Sequence, residues 1–269
     1  MRLDDVRGFV LDVDGTLVHR AGEEVYVQPG ALEVLAKIRA SGRPFVLFTN
    51  GSHAPPETFA AGLRAVGLPV ADDELLTPLC SVQTYLRGHS RSASVLLFGT
   101  GAAREYLMRA GVRILDGEDV TLPDLVFVAH PDAVDFAKLE RAARAVLSGA
   151  RLLTGSYAPA YAGANGPIFS RGAMLTAAIA KATSTRPVVV GKPSRAALRT
   201  ISDQLGVSSE ELAVIGDDLG IDIALGRLGG SRTILVRSGI SSLVELEDVA
   251  AAHRPDAVIE GVAELLDWL

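Results

Sequence analysis

Phe9-Val10-Leu11-Asp12-Val13-Asp14-Gly15-Thr16 is an apolar run that breaks into two aspartates and a glycine turn. Three consecutive apolar residues read as a short strand buried on both faces, as in parallel sheets. Residues i and i+2 of an extended chain point the same way, so Asp12 and Asp14 leave the strand on one side. Gly15 permits the sharp exit. Asp-Gly-Thr is also ordinary turn chemistry, so the stretch takes its meaning from the rest of the chain.

Three further strand ends complete it. Phe45-Val46-Leu47-Phe48 ends at Thr49-Asn50-Gly51, and Pro187-Val188-Val189-Val190 ends at Gly191-Lys192-Pro193. Ala213-Val214-Ile215 runs into Gly216-Asp217-Asp218-Leu219-Gly220-Ile221-Asp222. Open α/β sheets bind ligands beyond the carboxyl ends of their strands. Four strand ends therefore offer carboxylates, a hydroxyl, an amide and a lysine to one crevice.

Helices are expected over 29–40 and 56–66, giving β-α-β-α with short connections. The pattern restarts after Thr77-Pro78, with strands at 95–98, 125–128 and 152–153 and helices at 102–110, 135–147 and 172–183. A Gly/Ala/Tyr/Asn-rich loop spans Gly155 to Pro167. From Pro187 the order resumes: helix 194–205, strand 212–215, helix 221–228, strand 232–236, helix 242–251, strand 256–259 and helix 261–268. The reading is a doubly wound parallel α/β core, 1–78 and 187–269, with a second α/β domain, 79–186, inserted. A chain of 269 residues fits such a division, since single cores stop growing at about 250–300 residues.

Hydrophobic residues make up 48% and the formal net charge is −6, with no long run of one sign. That excludes the basic face of a general nucleic-acid binder. Cys80 is the single cysteine, which rules out an intrachain disulfide or a thiolate zinc site and reads as a small buried apolar residue. No apolar stretch approaches a membrane span of about 18 residues, and Asp12 and Asp14 interrupt any leader-like run. The cytoplasm is the expected location.

The residue types suit phosphoryl transfer. A carboxylate at Asp12 can attack phosphorus and split hydrolysis into two steps. A second carboxyl at Asp14 can protonate the leaving oxygen and then activate water. Asp217 is placed to bind Mg²⁺, a hard ion held by few carboxylates, and Asp222 to orient Asp217 or metal-bound waters. Asp218 is expected to be exposed. Lys192 can neutralise phosphate, and the hydroxyl and N–H groups around Thr49, Asn50 and Gly51 can cradle it. As a side chain facing a crevice, Lys192 is expected to contribute little to the core.

These motifs, in this order, resemble the haloacid dehalogenase (HAD) superfamily of phosphohydrolases, and within it the NagD-like and p-nitrophenylphosphatase branch. The resemblance covers essentially the whole chain, including a large cap between the second and third motifs. It implies a Rossmann-like core and a Mg²⁺-dependent phosphatase working through an aspartyl phosphate. Asp12 would be the nucleophile, Asp14 the acid and base, and Thr49 and Lys192 the phosphoryl holders. Asp12, the main-chain carbonyl of Asp14, and Asp217 would bind the metal. Gly149-Ala150-Arg151 is similar to the branch's cap. Two departures stand out: Ile221 replaces a threonine, and Thr154-Gly155-Ser156-Tyr157-Ala158-Pro159 replaces an Asn-x-Asp element. Tyr157 and Tyr161 are candidate leaving-group contacts. The partner is a small phosphorylated metabolite of the nucleoside monophosphate, pyridoxal phosphate, glycerol phosphate or sugar phosphate class. Neither nucleic acid nor membrane is implied, and the oligomeric state, homodimer included, is open.

Other readings compete. The same motifs can serve a phosphomutase or phosphotransferase, or a noncatalytic phosphometabolite-binding protein, although the latter has no need of Asp12, Asp14 and Lys192 together. Gly99-Thr100-Gly101, with Asp116 further on, imitates a dinucleotide fingerprint, but Arg104 occupies the third glycine position.

Overall fold

A computed structural model describes residues 2–21, 24–89, 92–115, 121–161 and 168–269. Asp116 and positions 162–167 of the expected loop lie outside the described residues. Strand β1 (Gly8–Leu11) is fully buried. Past it, the Asp14–Val18 turn feeds a hairpin of β2 (Val18–Ala21) and β3 (Glu24–Val27) that the sequence did not announce. Helix α1 (Ala31–Ala40), β4 (Phe45–Phe48), α2 (Pro56–Ala65) and β5 (Leu75–Leu76) follow.

Helix α3 (Pro78–His89) carries the chain into a second sheet. Thr77 Oγ1 accepts from the Leu79 N–H at 3.2 Å, a cap with proline at the first helical position. Then come β6 (Ser94–Phe98), α4 (Gly101–Arg109), β7 (Arg113–Ile114) and β8 (Leu125–Val128). Helix α5 (Phe136–Leu147) and β9 (Arg151–Thr154) precede a small hairpin, β10 (Ala160–Tyr161) and β11 (Ile168–Phe169). Helix α6 (Arg171–Thr183) leads to β12 (Val188–Val189). The return path comprises α7 (Arg195–Leu205), β13 (Leu212–Gly216), α8 (Ala224–Gly229), β14 (Arg232–Val236) and β15 (Ala257–Ile259).

Among the described residues the larger sheet has the order β15-β14-β13-β1-β4-β5 and the second β12-β9-β8-β6-β7, all pairs parallel. The strands are near-continuous apolar runs because helices and loops cover both faces. Phe9, Leu11, Leu47 and Ile215 fill one side of the large sheet; Val10, Val46, Phe48 and Val214 fill the other.

Four expectations are corrected. Strand β12 does not reopen the large sheet: Val188 and Val189 pair with Leu153 and Thr154 at the edge of the second. The expected helix 242–251 is a set of short 3₁₀ turns, Leu246–Asp248 and Ala251–His253. Leu243 is 91% exposed and Val244, Leu246 and Val249 are only half-buried, so the apolar stripe packs too weakly to hold a full helix. Residues Val262–Asp267 form 3₁₀ turns too, and 221–228 splits into a wide π turn, Leu219–Ile223, and α8.

Thr100 is a helix cap, accepting from Ala103 N at 3.0 Å, and it donates to the His53 carbonyl at 2.6 Å. That strut between the two sheets accounts for the glycine-flanked stretch. Cys80 is half-buried, with Sγ 3.6 Å from the Tyr106 hydroxyl. Among the described residues no helix is long and apolar enough to cross a membrane.

Candidate active site

Strands β13, β1 and β4 are neighbours, so Asp217, Asp12 and Thr49 emerge side by side at their carboxyl ends. The ladder runs on past β1: Asp12 N–H donates to the Ile215 carbonyl at 2.8 Å, which fixes Asp12 against β13. Lys192 reaches the same place from the second sheet. Its Nζ donates to Asp12 Oδ1 at 2.6 Å and Asp222 Oδ1 at 2.7 Å, and only 1% of its surface is exposed. Carboxylate oxygens of Asp12, Asp217 and Asp222 lie within 4.8 Å of one another.

One ammonium faces three carboxyl groups, so ionising all three would leave the cluster negative. Burial pushes the Asp12 carboxyl well above its ordinary range; Lys192 opposes this, and Asp222 and Asp217 add to it. Burial, with Asp222 beside it, lifts Asp217 to about 7. Burial works against the Lys192 charge, but Asp12 and Asp222 outweigh it and raise its value, so the ammonium stays protonated.

The supporting contacts are local. Ile240 N–H donates to Asp217 Oδ2 at 2.7 Å, and Ser238 Oγ to the Gly15 carbonyl at 2.6 Å. Gly15 has φ +89°, and a Cβ there would come within 2.4 Å of Asp217 Oδ2; only glycine fits. The wide π turn brings Asp222 back beneath the strand, where Oδ2 accepts from Asp218 N–H at 3.2 Å. Asp218 is half-buried rather than exposed, because its Oδ1 caps that turn on Gly220 N–H at 2.7 Å.

The Asn50 side chain holds the Lys192 peptide. Its Oδ1 accepts from Lys192 N–H at 2.8 Å and its Nδ2 donates to the Lys192 carbonyl at 2.9 Å. The side-chain amide is thus committed to the lysine's own peptide, and Nδ2 also donates to Ser156 Oγ at 3.4 Å. Gly51 N–H donates to Thr49 Oγ1 at 3.0 Å, which orients that hydroxyl.

A cavity of about 310 Å³ opens between the two sheets over this cluster. Tyr161 lines it, as do Ser156 and Ile221; Tyr157 lines an adjoining opening instead. Three charged or titratable residues on its wall escaped the sequence reading. Arg20, on the β2–β3 hairpin, forms an ion pair with Asp14. His53 follows the β4 strand end, and His130 follows β8. The strand-end rule that found Asp12 applies equally to the second sheet and points to His130.

Residues 9–113 match a family model for haloacid dehalogenase-like hydrolases, and 189–265 match a HAD-hydrolase-like model. The ribonucleotide monophosphatase NagD of Escherichia coli K12 is 31% identical over 97% of this chain and 98% of its own. The chain belongs to the haloacid dehalogenase-like hydrolases. Among other members of that family, dihydroxyacetone phosphatase of Corynebacterium glutamicum is 27% identical, covering 96% of this chain and 90% of its own. The solved haloacid dehalogenase-like structure of Thermotoga maritima 4-nitrophenylphosphatase superimposes with a TM-score of 0.87, at 27% identity and 98% coverage of both chains.

Proposed function

We propose that this haloacid dehalogenase-type phosphatase is a Mg²⁺-dependent hydrolase of small phosphomonoesters that works through a phosphoaspartate on Asp12. The observation that carries the reading is the buried Asp12–Asp217–Asp222 cluster around Lys192 at the carboxyl edge of the large sheet. Carboxyl groups lifted by burial and mutual repulsion fit a hard cation with oxygen ligands. Asp12, Asp217 and the main-chain carbonyl of Asp14 would hold it; Asp222 orients Lys192 and the neighbouring backbone. When bound, Mg²⁺ neutralises charge on the phosphoryl oxygens.

The chain's own residues supply the rest. The Asp12 oxygen not engaged by Lys192 attacks phosphorus while the bond to the leaving oxygen breaks, and Asp14 gives that oxygen its proton. Asp14 then takes a proton from water as the water oxygen attacks phosphorus, releasing orthophosphate and restoring the Asp12 carboxylate. The Thr49 hydroxyl and Lys192 ammonium hold the non-bridging oxygens. Asn50 fixes the lysine's backbone, and Arg20 orients Asp14.

The inserted unit, 79–186 in the sequence reading, is assigned the choice of substrate, because the core motifs grip only the phosphoryl group. Relatives named for ribonucleotide, dihydroxyacetone and acid sugar phosphatases support a small phosphometabolite as partner. Protein stripped with chelator should lose turnover of p-nitrophenyl phosphate and regain it with Mg²⁺. Full activity after verified metal removal overturns the reading, as does an acyl phosphate trapped on a residue other than Asp12.

A further inference from the structure

We propose that His53 and His130 form a paired clamp that binds hydroxyl groups on the leaving group, making them the residues that favour polyol and sugar phosphates. The inference rests on the phosphatase reading and adds residues and a ligand class to it. The two rings come from different sheets and meet edge-on at the wall of one cavity. His53 belongs to the loop after β4 of the large sheet, and His130 to the loop after β8 of the second. Their centroids are 5.6 Å apart at 65°, and the His53 ring also packs edge-on with Phe59, centroids 4.7 Å apart.

Position and chemistry agree. Both residues line the same cavity as Asp12, Thr49 and Lys192. Among the described residues no hydrogen bond engages a ring nitrogen of either histidine. Crowding by the surrounding protein holds both below the ordinary histidine value. The other imidazole and Arg20 add to this at His53, and Arg171 at His130, against Asp14 and Asp132. A neutral imidazole offers one donor and one acceptor. That pairing suits a hydroxyl, which also donates and accepts, better than a carboxylate or second phosphate, which only accepts. Tyr161 and Ser170, two further hydroxyl-bearing residues, line the same cavity. The edge-on packing on Phe59 and the crossed angle between the imidazoles argue against a parallel slot for an aromatic base.

The strut from Thr100 to the His53 carbonyl sets the spacing. It ties the His53 loop to the start of α4, so the loop that carries one ring is braced against the unit that carries the other. Discrimination of this kind rests on unpaired polar groups left behind when the wrong substrate binds.

The test uses the full chain and the variants His53→Leu, His130→Leu, the double variant, and His53→Asn and His130→Asn. Turnover is compared on glycerol phosphate, a hexose 6-phosphate and p-nitrophenyl phosphate, and binding of the hexose phosphate and of inorganic phosphate is measured by calorimetry. Each leucine variant should lower the kcat/KM ratio of hexose phosphate to p-nitrophenyl phosphate by about tenfold, chiefly through KM. The asparagine variants should retain most of the ratio. The affinity advantage of hexose phosphate over inorganic phosphate should shrink in step, while inorganic phosphate binds as before. Folded leucine variants with an unchanged ratio and an unchanged affinity advantage overturn the clamp. Absence of turnover in the wild type, with that advantage lost in the variants, overturns the phosphatase reading and leaves the clamp standing.

Discussion

Lys192 lies between Asp12 and Asp222 with its charge wholly enclosed, and that alters what its removal should do. Seen as a crevice residue it is dispensable to the core; seen in place it is the only cation hydrogen-bonded to the buried carboxylates among the described residues. Lys192→Ala should lose both phosphoryl transfer and, in chelator, about 3–5 kcal/mol of stability, the cost of stripping a buried charge of its partner. Urea unfolding with and without Mg²⁺ measures it; an unchanged midpoint in chelator would refute the burial argument. Asp14→Asn should slow turnover of an alkyl phosphate by ~10²–10⁴-fold. p-Nitrophenyl phosphate should suffer less, because its leaving oxygen needs little proton. Asp217 gives a pH signature. Its carboxyl rises from 3.8 to about 7 on folding. The folded protein therefore keeps a proton that the unfolded chain has released. The resulting stability is complete below the unfolded value and is lost as pH climbs through the folded one. Metal-free protein should melt at falling temperature between about pH 4 and 7, and Mg²⁺ should restore most at the upper end by replacing protons. Rising metal-free stability across that interval would count against the burial of Asp217.

At the scale of elements, the same brace starts a strand in each sheet. Asp124 Oδ2 accepts from Ser94 N–H and Oγ, both at 2.7 Å, and Asp124 N–H returns to Ser94 Oγ at 3.1 Å. Asp256 repeats the pattern on Thr233 at 2.8, 2.9 and 3.0 Å. Each follows a proline, which leaves the aspartate at the first turn into the strand. Asp256→Ala should cost about 1–2 kcal/mol despite partial exposure, since charge-assisted bonds to a strand end are lost together. Thr233→Ala should cost no more when added to it; full additivity in thermal melts would mean that the two do not form one unit. Apolar runs such as Phe45–Phe48 and Leu125–Val128 were legible because burial on both faces leaves no room for polar residues. The β2–β3 hairpin was not, since Val18-His19-Arg20-Ala21 and Glu24-Val25-Tyr26-Val27 are short and mostly half-exposed. Helix α3 could have been read from Thr77-Pro78 as a cap. Strand ends gave Asp12, Thr49, Lys192 and Asp217 directly, whereas the tie from Asn50 to the Lys192 peptide depends on two loops meeting across 142 positions of sequence, which no local pattern encodes.

For the whole molecule, the two passages between sheets lie together. Helices α3 and α7 face each other, with Thr200 Oγ1 donating to Thr84 Oγ1 at 2.9 Å. Exchanging the inserted unit for that of a relative should therefore carry over the ranking of substrates while Mg²⁺ dependence stays with the core. A chimaera that folds yet keeps the original ranking would assign selection to the core. The join also has a mechanical side. Val190 and Gly191 N–H groups still bond β9 and its extension, at 2.9 and 3.0 Å, and the next N–H, that of Lys192, bonds Asn50. A Cβ on Gly191 would lie 2.2 Å from the Gly155 carbonyl, so this seam closes only around glycine. The anchor changes hands within one peptide. If a badly shaped leaving group pushes the second sheet aside by a single strand step, about 3.3 Å, the ammonium is pulled from its 2.6 Å contact with Asp12. Such a displacement would register as stalled chemistry: the lysine then acts as a tripwire that adds a loss in kcat to whatever the histidine pair takes from KM.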